Sequence, residues 1–313
     1  MTIKPEFIIF STPYHPNDGG AIVLHYLCHL LNQSGVNASI IPSFNCLDVS
    51  PYDDLLETIG TLNQIKKNTN SDPFTLNADW KTPLYPHPLE QIKFRNDLVV
   101  VYPEVTFGNP LRARHIARWI LHKPGFHNKH VYYEPGEVHF RYLEMHHAVP
   151  MPWIEISDQL LSIFYIPWDH YKPALADQQR EGTAYLVRKG TGKKAIHDVT
   201  NSIQIDGKSH SEIGEIFRRV KTFISYDTKS IYSLLAAVAG ADSVVAPDDG
   251  ISEDMWQPFP ELRAGLAYGF ERLGWAQSTR HQTAEQLQKL ELQSAVSVQS
   301  FVAFWTQRLQ ATL

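Results

Sequence analysis

With 313 residues the chain is too long for one small domain and suits two. Its 43% hydrophobic and 19% charged residues can bury a core, which excludes a disordered chain. Lys+Arg 28 against Asp+Glu 33 gives a net charge of −5 with no block of like charge, so nucleic acid is not an expected partner. Cys28 falls in an apolar helical run, and neither it nor Cys46 belongs to a CxxC, which argues against a disulfide framework or a structural zinc site. The apolar run before Ser11 and Pro13 is too short for the core of a signal peptide, and no stretch approaches the roughly 18 apolar residues of a spanning helix. The expectation is a cytosolic protein, with peripheral contact at the inner face of a membrane left open.

In chain order, the elements begin with a strand over Glu6–Phe10, a glycine loop, and a helix whose apolar positions run from Ile22 to Leu31 and close at Gly35. A second strand covers Ala38–Pro42. Residues 43–95, with several Pro and Asn, read as a helix near 52–66 followed by loops. Asp97–Tyr102 is a continuous apolar run of the kind buried on both faces of a sheet. A helix from Arg112 to Leu121 and a strand at His130–Tyr133 follow.

A second series starts after a stretch with Pro and Trp near 150–182. It comprises strands at Ala184–Arg188 and Ser202–Ile205, a helix at Ser211–Arg219, a strand at Thr222–Ser225, a helix at Lys229–Ala239 and a strand at Asp242–Ala246. Val298, Phe301, Val302, Trp305 and Leu309 then recur at helical spacing, an amphipathic closing helix. Short strands alternating with helices predict βαβ units and parallel sheets, hence an α/β fold. The two series predict domains over 1–165 and 166–295, with 296–313 packing back on the first.

In such sheets ligands bind beyond the carboxyl ends of the strands, so the residues that follow each strand carry the functional signal. After the first strand, His15, Asp18, Gly19 and Gly20 form a loop in which paired glycines let backbone approach a ligand. It matches neither GxGxxG nor the GxxxxGK[ST] phosphate loop, and a tight strand-to-helix turn is the plainer alternative. Glu104 stands at the tip of a central strand, where it could bind a hydroxyl, act as a base, or cap the next helix. Arg188 and Lys189, with Lys193 and Lys194 behind them, form an anion-binding candidate or a solvated basic loop. Finally, Tyr226 and Asp227 end a strand, and Thr228 and Ser230 open a helix, an arrangement suited to a diphosphate.

Five segments in this order, HPNDGGA, VVVYPEVTFGNPLRARHIARW, AYLVRKG, ISYDTKSIYSLLAAVAGADSVVAPDDGIS and LAYGFERLGWA, span most of the chain. Together they resemble the bacterial polysaccharide-assembly glycosyltransferases of GT-B fold, distantly similar to the GT4 group. The resemblance implies two Rossmann-like domains facing across a cleft, a nucleotide-diphosphate sugar donor held mainly by the second, a glycan or lipid-linked saccharide acceptor held by the first, and neither metal nor cofactor. It places Gly19 and Gly20 near the donor phosphates and Arg188 and Lys189 on the diphosphate. The group's two glutamates, separated by seven residues, fall on Asp227 and Leu235. Asp227 can bind a sugar hydroxyl but Leu235 cannot bind a ribose, leaving Tyr226, Tyr232 or Asp248 to take over part of nucleotide recognition.

The residues themselves fit that chemistry, because breaking a glycosyl–diphosphate bond requires the leaving charge to be stabilised. Arg188, Lys189 and the Thr228–Ser230 segment supply cations and amides for it. If configuration inverts, His15, Asp18 or Glu104 is the candidate base; if it is retained, the departing phosphate can serve. A non-catalytic GT-B-like binding or scaffold subunit shares every feature, and a hinged solute-binding protein is a more distant alternative.

Overall fold

Runs of β-branched and aromatic residues set the strands, and the alternation of side chains across them divides the core into layers. The computed structural model describes residues 4–43, 74–127, 131–144, 146, 148–172 and 179–311. The chain divides into two compact units, Met1–Tyr165 with Glu291–Leu313, and Ile166–Leu290.

Unit 1 holds one parallel sheet of β1 (Glu6–Ser11), β2 (Ala38–Pro42), β3 (Leu98–Pro103), β4 (His115–Ile120), β5 (Val138–Arg141) and β6 (Glu155–Leu160), in the order β2-β1-β3-β4-β5-β6. Phe7, Ile9, Val99, Val101, Ala117, Trp119, Val138 and Phe140 face one side. There they pack against Leu24, Leu27, Cys28 and Leu31 of α1 (Gly19–Gln33) and against Val298, Phe301, Trp305 and Leu309. Ile8, Phe10, Leu98, Val100, Tyr102 and Ile116 face the other side, covered by Tyr85, Leu89, Ile92 and Leu111. The period-2 split between these two sets explains why β1 and β3 read as unbroken apolar runs.

Unit 2 repeats the plan with β7 (Thr183–Leu186), β8 (Ser202–Gln204), β9 (Thr222–Ser225), β10 (Asp242–Val245) and β11 (Leu266–Tyr268), again all parallel, in the order β11-β10-β9-β7-β8. Its helices are α2 (His210–Arg219), α3 (Tyr232–Val238), α4 (Glu253–Trp256) and α5 (Leu273–Thr279). Ser209 and Glu212 form a reciprocal capping box at the start of α2. The last helix, α6 (Thr283–Ala311), contributes Leu287 to the core of unit 2 and its residues from Glu291 onward to unit 1. Two Rossmann-like α/β domains are therefore present.

Three expectations need correction. Residues 115–120 of the expected helix Arg112–Leu121 form β4, because Arg118, which reads as a solvent-facing charge, is fully buried against Glu137. Residues 131–133 are not in a strand; the strand that follows β4 and pairs with it is β5, where buried Glu137 just before it and His139 within it hid an inward-facing segment. The expected helix Lys229–Ala239 begins only at Tyr232, because the side chains of Asp227 and Ser230 take the N–H groups of Lys229 and Tyr232 and hold turns there. The helix expected near 52–66 and Cys46 lie outside the described residues.

Candidate functional site

In both units the strand order reverses beside the first strand, between β1 and β3 in unit 1 and between β7 and β9 in unit 2. Loops leaving the carboxyl ends of those strands flank a crevice in such sheets, which makes them the ligand positions of the fold. The candidate residues from the sequence fall on these loops or in the first turn of the helix that follows, and each group is described within its own unit.

At the end of β1 the chain runs through His15 to Asp18, and α1 begins at Gly19. Asp18 caps α1: its Oδ1 accepts from Gly20 N at 2.9 Å and Ala21 N at 3.2 Å. The loop is pinned from behind by the buried His25 ring, whose Nε2 lies 3.0 Å from the Thr12 carbonyl. His15 is exposed, and its Nδ1 accepts from Asn17 N at 3.2 Å. Neither Gly19 nor Gly20 takes a positive φ, and a Cβ on Gly19 would meet nothing within 4 Å. Neither strain nor packing therefore demands glycine at position 19; its effect is to leave the backbone uncovered.

Glu104 follows β3 and is only 8% exposed. Its Oε2 accepts from Leu121 N at 3.1 Å, and burial pushes its carboxyl up to about 7, so it is poised to exchange a proton near neutrality. The helix-capping alternative falls away, since the next element is β4. The loop bearing Glu104 is wrapped around the Arg118 guanidinium, which donates to the carbonyls of Pro103 (3.3 Å), Thr106 (2.8 Å) and Gly108 (2.7 Å). The same guanidinium pairs with both carboxylate oxygens of Glu137, at 2.8 and 2.6 Å, and lies between the rings of Tyr102 and Tyr133. Burial alone would raise the Glu137 carboxyl, but Arg118 and His139 outweigh it and hold it low. All five guanidinium donors are thus engaged, three on the carbonyls of this loop and two on Glu137.

In unit 2 the end of β7 carries Arg188 and Lys189, both exposed. Gly190 follows, so close to Tyr226 that a Cβ would collide with the Tyr226 carbonyl. The Arg188 guanidinium lies 5.5 Å above the centre of the Tyr232 ring. Burial raises the Tyr232 phenol, and Arg188 offsets part of that. Asp227, 6% exposed, accepts from Lys229 N at 3.1 Å in a side-chain turn, rather than capping a helix. Thr228 Oγ1 donates to Asp248 Oδ2 at 3.1 Å, while Ser230 Oγ accepts from Tyr232 N at 3.3 Å.

Two residues given sugar or nucleotide roles also tie the loops to one another. The Tyr226 hydroxyl accepts from Ile196 N at 2.9 Å and lies 2.8 Å from His197 Nδ1, fastening the loop after β7. Asp248 binds Lys193 Nζ at 2.6 Å through Oδ1 and Thr228 through Oδ2, joining the loops after β7, β9 and β10. Lys193 is therefore a staple between these loops. Leu235 is fully buried in the core, as its side chain requires.

Sequence reasoning missed Arg118 and Glu137, whose pairing between β4 and the residue before β5 leaves no local signal. It also missed Asp206, although its place two residues beyond β8 matches that of Arg188 beyond β7. Among the described residues no group of three or more His, Cys, Asp or Glu is arranged to hold a metal ion, and no helix is long and apolar enough to cross a membrane.

No family model matches the chain, and no curated protein matches it. Among solved structures it is similar to the glycosyltransferase SnogD from Streptomyces nogalater, with 14% identity, 96% of this chain and 99% of that one covered, and a TM-score of 0.41. It is also similar to the glycotransferase of kitacinnamycin, with 10% identity, coverage of 97% and 99%, and a TM-score of 0.42. A third is the spinosyn forosaminyltransferase SpnP, with 10% identity, coverage of 99% and 95%, and a TM-score of 0.36. The fold assignment rests on the strand orders themselves.

Proposed function

We propose that the protein is a GT-B glycosyltransferase that moves a sugar from a nucleotide-diphosphate donor to a hydroxyl of a glycan or lipid-linked saccharide in surface polysaccharide assembly. One observation carries the reading: Arg188 and Lys189 stand at the strand-order reversal of unit 2, beside the Asp227–Tyr232 segment, with the Arg188 guanidinium over Tyr232. As the glycosyl–oxygen bond breaks, negative charge grows on the leaving diphosphate, and two cations already standing at the strand end lower that barrier. In this reading they supply countercharge that a divalent ion would otherwise provide. Asp227 accepts hydroxyls of the donor sugar as it detaches.

The acceptor role is assigned to unit 1. A base must be unprotonated at working pH yet basic enough to take a proton, and a carboxyl at about 7 meets both conditions. Glu104 is therefore favoured over His15 and over Asp18, whose carboxylate is engaged in capping α1. With a base in place, inversion at the anomeric carbon is the simplest stereochemical course.

Calorimetric titration with UDP, GDP and dTDP tests the assignment. For whichever binds, Arg188→Ala or Lys189→Ala is expected to weaken affinity by about 1.5–3 kcal/mol, the range for a charge-assisted hydrogen bond. Unchanged affinity in both variants would remove the donor site from this loop.

A further inference from the structure

Arg188 has a backbone φ of 38°, and only one other non-glycine residue among those described, Arg112, has a positive φ. A side chain in this region is disfavoured unless its surroundings enforce it, and such enforcement concentrates at functional sites. Here the enforcement can be traced atom by atom. Asp206, just beyond β8, accepts from Arg188 N at 2.8 Å through Oδ1 and from Val187 N at 3.0 Å through Oδ2. Gln204 Nε2 donates to Oδ2 at 3.1 Å and fixes the carboxylate in turn. On the opposite side, Gly190 N donates to the Val187 carbonyl at 2.7 Å and Thr191 Oγ1 donates to the Arg188 carbonyl at 2.9 Å. Gly190, wedged against Tyr226, allows the turn no room to slide.

We propose that Asp206 is a positioning residue for Arg188, its carboxylate locking the end of β7 in the backbone conformation that carries the guanidinium across Tyr232 to a diphosphate. The inference rests on the reading of Arg188 as a diphosphate ligand. In this role Asp206 acts through the backbone: two N–H groups on successive residues each take one of its oxygens, and an ionised carboxylate is the side-chain group that offers two acceptor oxygens and no donor. An asparagine keeps the size but turns one acceptor into a donor facing an N–H.

Simple electrostatics predicts the opposite of positioning, which makes the idea testable. Removing a negative charge near an anion site should tighten anion binding, whereas removing a clamp that aims a cation should loosen it. With inorganic pyrophosphate as probe and calorimetry on the full chain, Asp206→Asn is expected to weaken binding about tenfold, with melting temperature little changed. In an Arg188→Ala background the same change should alter affinity less than twofold, because nothing is left to aim. If Arg188→Ala weakens binding but Asp206→Asn leaves it equal or tighter, the positioning role is wrong while the donor site stands. Equal weakening by Asp206→Asn in both backgrounds also overturns it. If Arg188→Ala has no effect, or wild type binds no pyrophosphate, the donor reading fails and takes the inference with it. Should Asp206→Asn fold poorly, amide exchange in the wild-type protein decides: slow exchange at Val187 and Arg188 supports the clamp, and exchange as fast as at an unbonded exposed amide refutes it.

Discussion

Glu104 is the residue whose behaviour with pH separates a working base from a buried structural acid. Its carboxyl rises from the ordinary 4.5 to about 7 because burial disfavours the charged form. Since the folded-state value lies above the unfolded one, this group stabilises the fold fully below about 4.5 and progressively less as pH rises through about 7. The difference amounts to about 3 kcal/mol. Glu104→Gln cannot titrate, so denaturation at pH 5 and pH 8 should find wild type losing roughly that much more stability than the variant. In turnover the sign reverses, because a base works only when ionised: the wild-type rate should climb through about pH 7, and Glu104→Gln should lack that limb. Asp227 gives a second contrast. Asn can still accept from Lys229 N, so Asp227→Asn should melt like wild type, yet it should turn over at least tenfold more slowly if the charge helps the sugar detach. Equal turnover, measured at saturating donor, would make Asp227 a turn residue only.

At the scale of elements, strands buried on both faces announce themselves, as Phe7–Phe10, Val99–Val101 and Val244–Val245 do. β4 and β5 did not, because Arg118, Glu137 and His139 place charge and polarity in positions that look solvent-facing until their partners are known. The Arg118–Glu137 pair spans 19 residues of sequence, and no local pattern encodes it. Arg188, Lys189, Asp227 and Glu104 do follow strands as the sequence suggested, while the length of α3 stayed hidden because Asp227 and Ser230 side chains take N–H groups ahead of it. The glycines of the two first-strand loops should respond differently to a methyl group. Gly190→Ala must push apart the loops after β7 and β9 and should lower stability by about 1–3 kcal/mol. Gly19→Ala meets open space in the first turn of α1, so it should leave the melting temperature unchanged or raised. If a ligand uses that space, Gly19→Ala should weaken donor or acceptor binding despite the intact fold, as titration can establish.

Across the whole molecule the same five-strand order, 2-1-3-4-5, occurs in each unit, and each reversal carries one half of the proposed chemistry: a carboxyl near neutrality in unit 1, a cationic pair in unit 2. The net charge of −5 makes that local cationic pair a specific feature rather than part of a general basic surface. The most direct test is mass analysis of a saccharide acceptor after incubation of the full chain with UDP-, GDP- and dTDP-sugars, with CMP-sugars as the control that lacks a diphosphate. The account predicts that at least one diphosphate donor adds one sugar to the acceptor, with an equal amount of nucleoside diphosphate released, and that Arg188→Ala suppresses both. Binding of a donor with neither transfer nor hydrolysis, or transfer undiminished in Arg188→Ala, would contradict it.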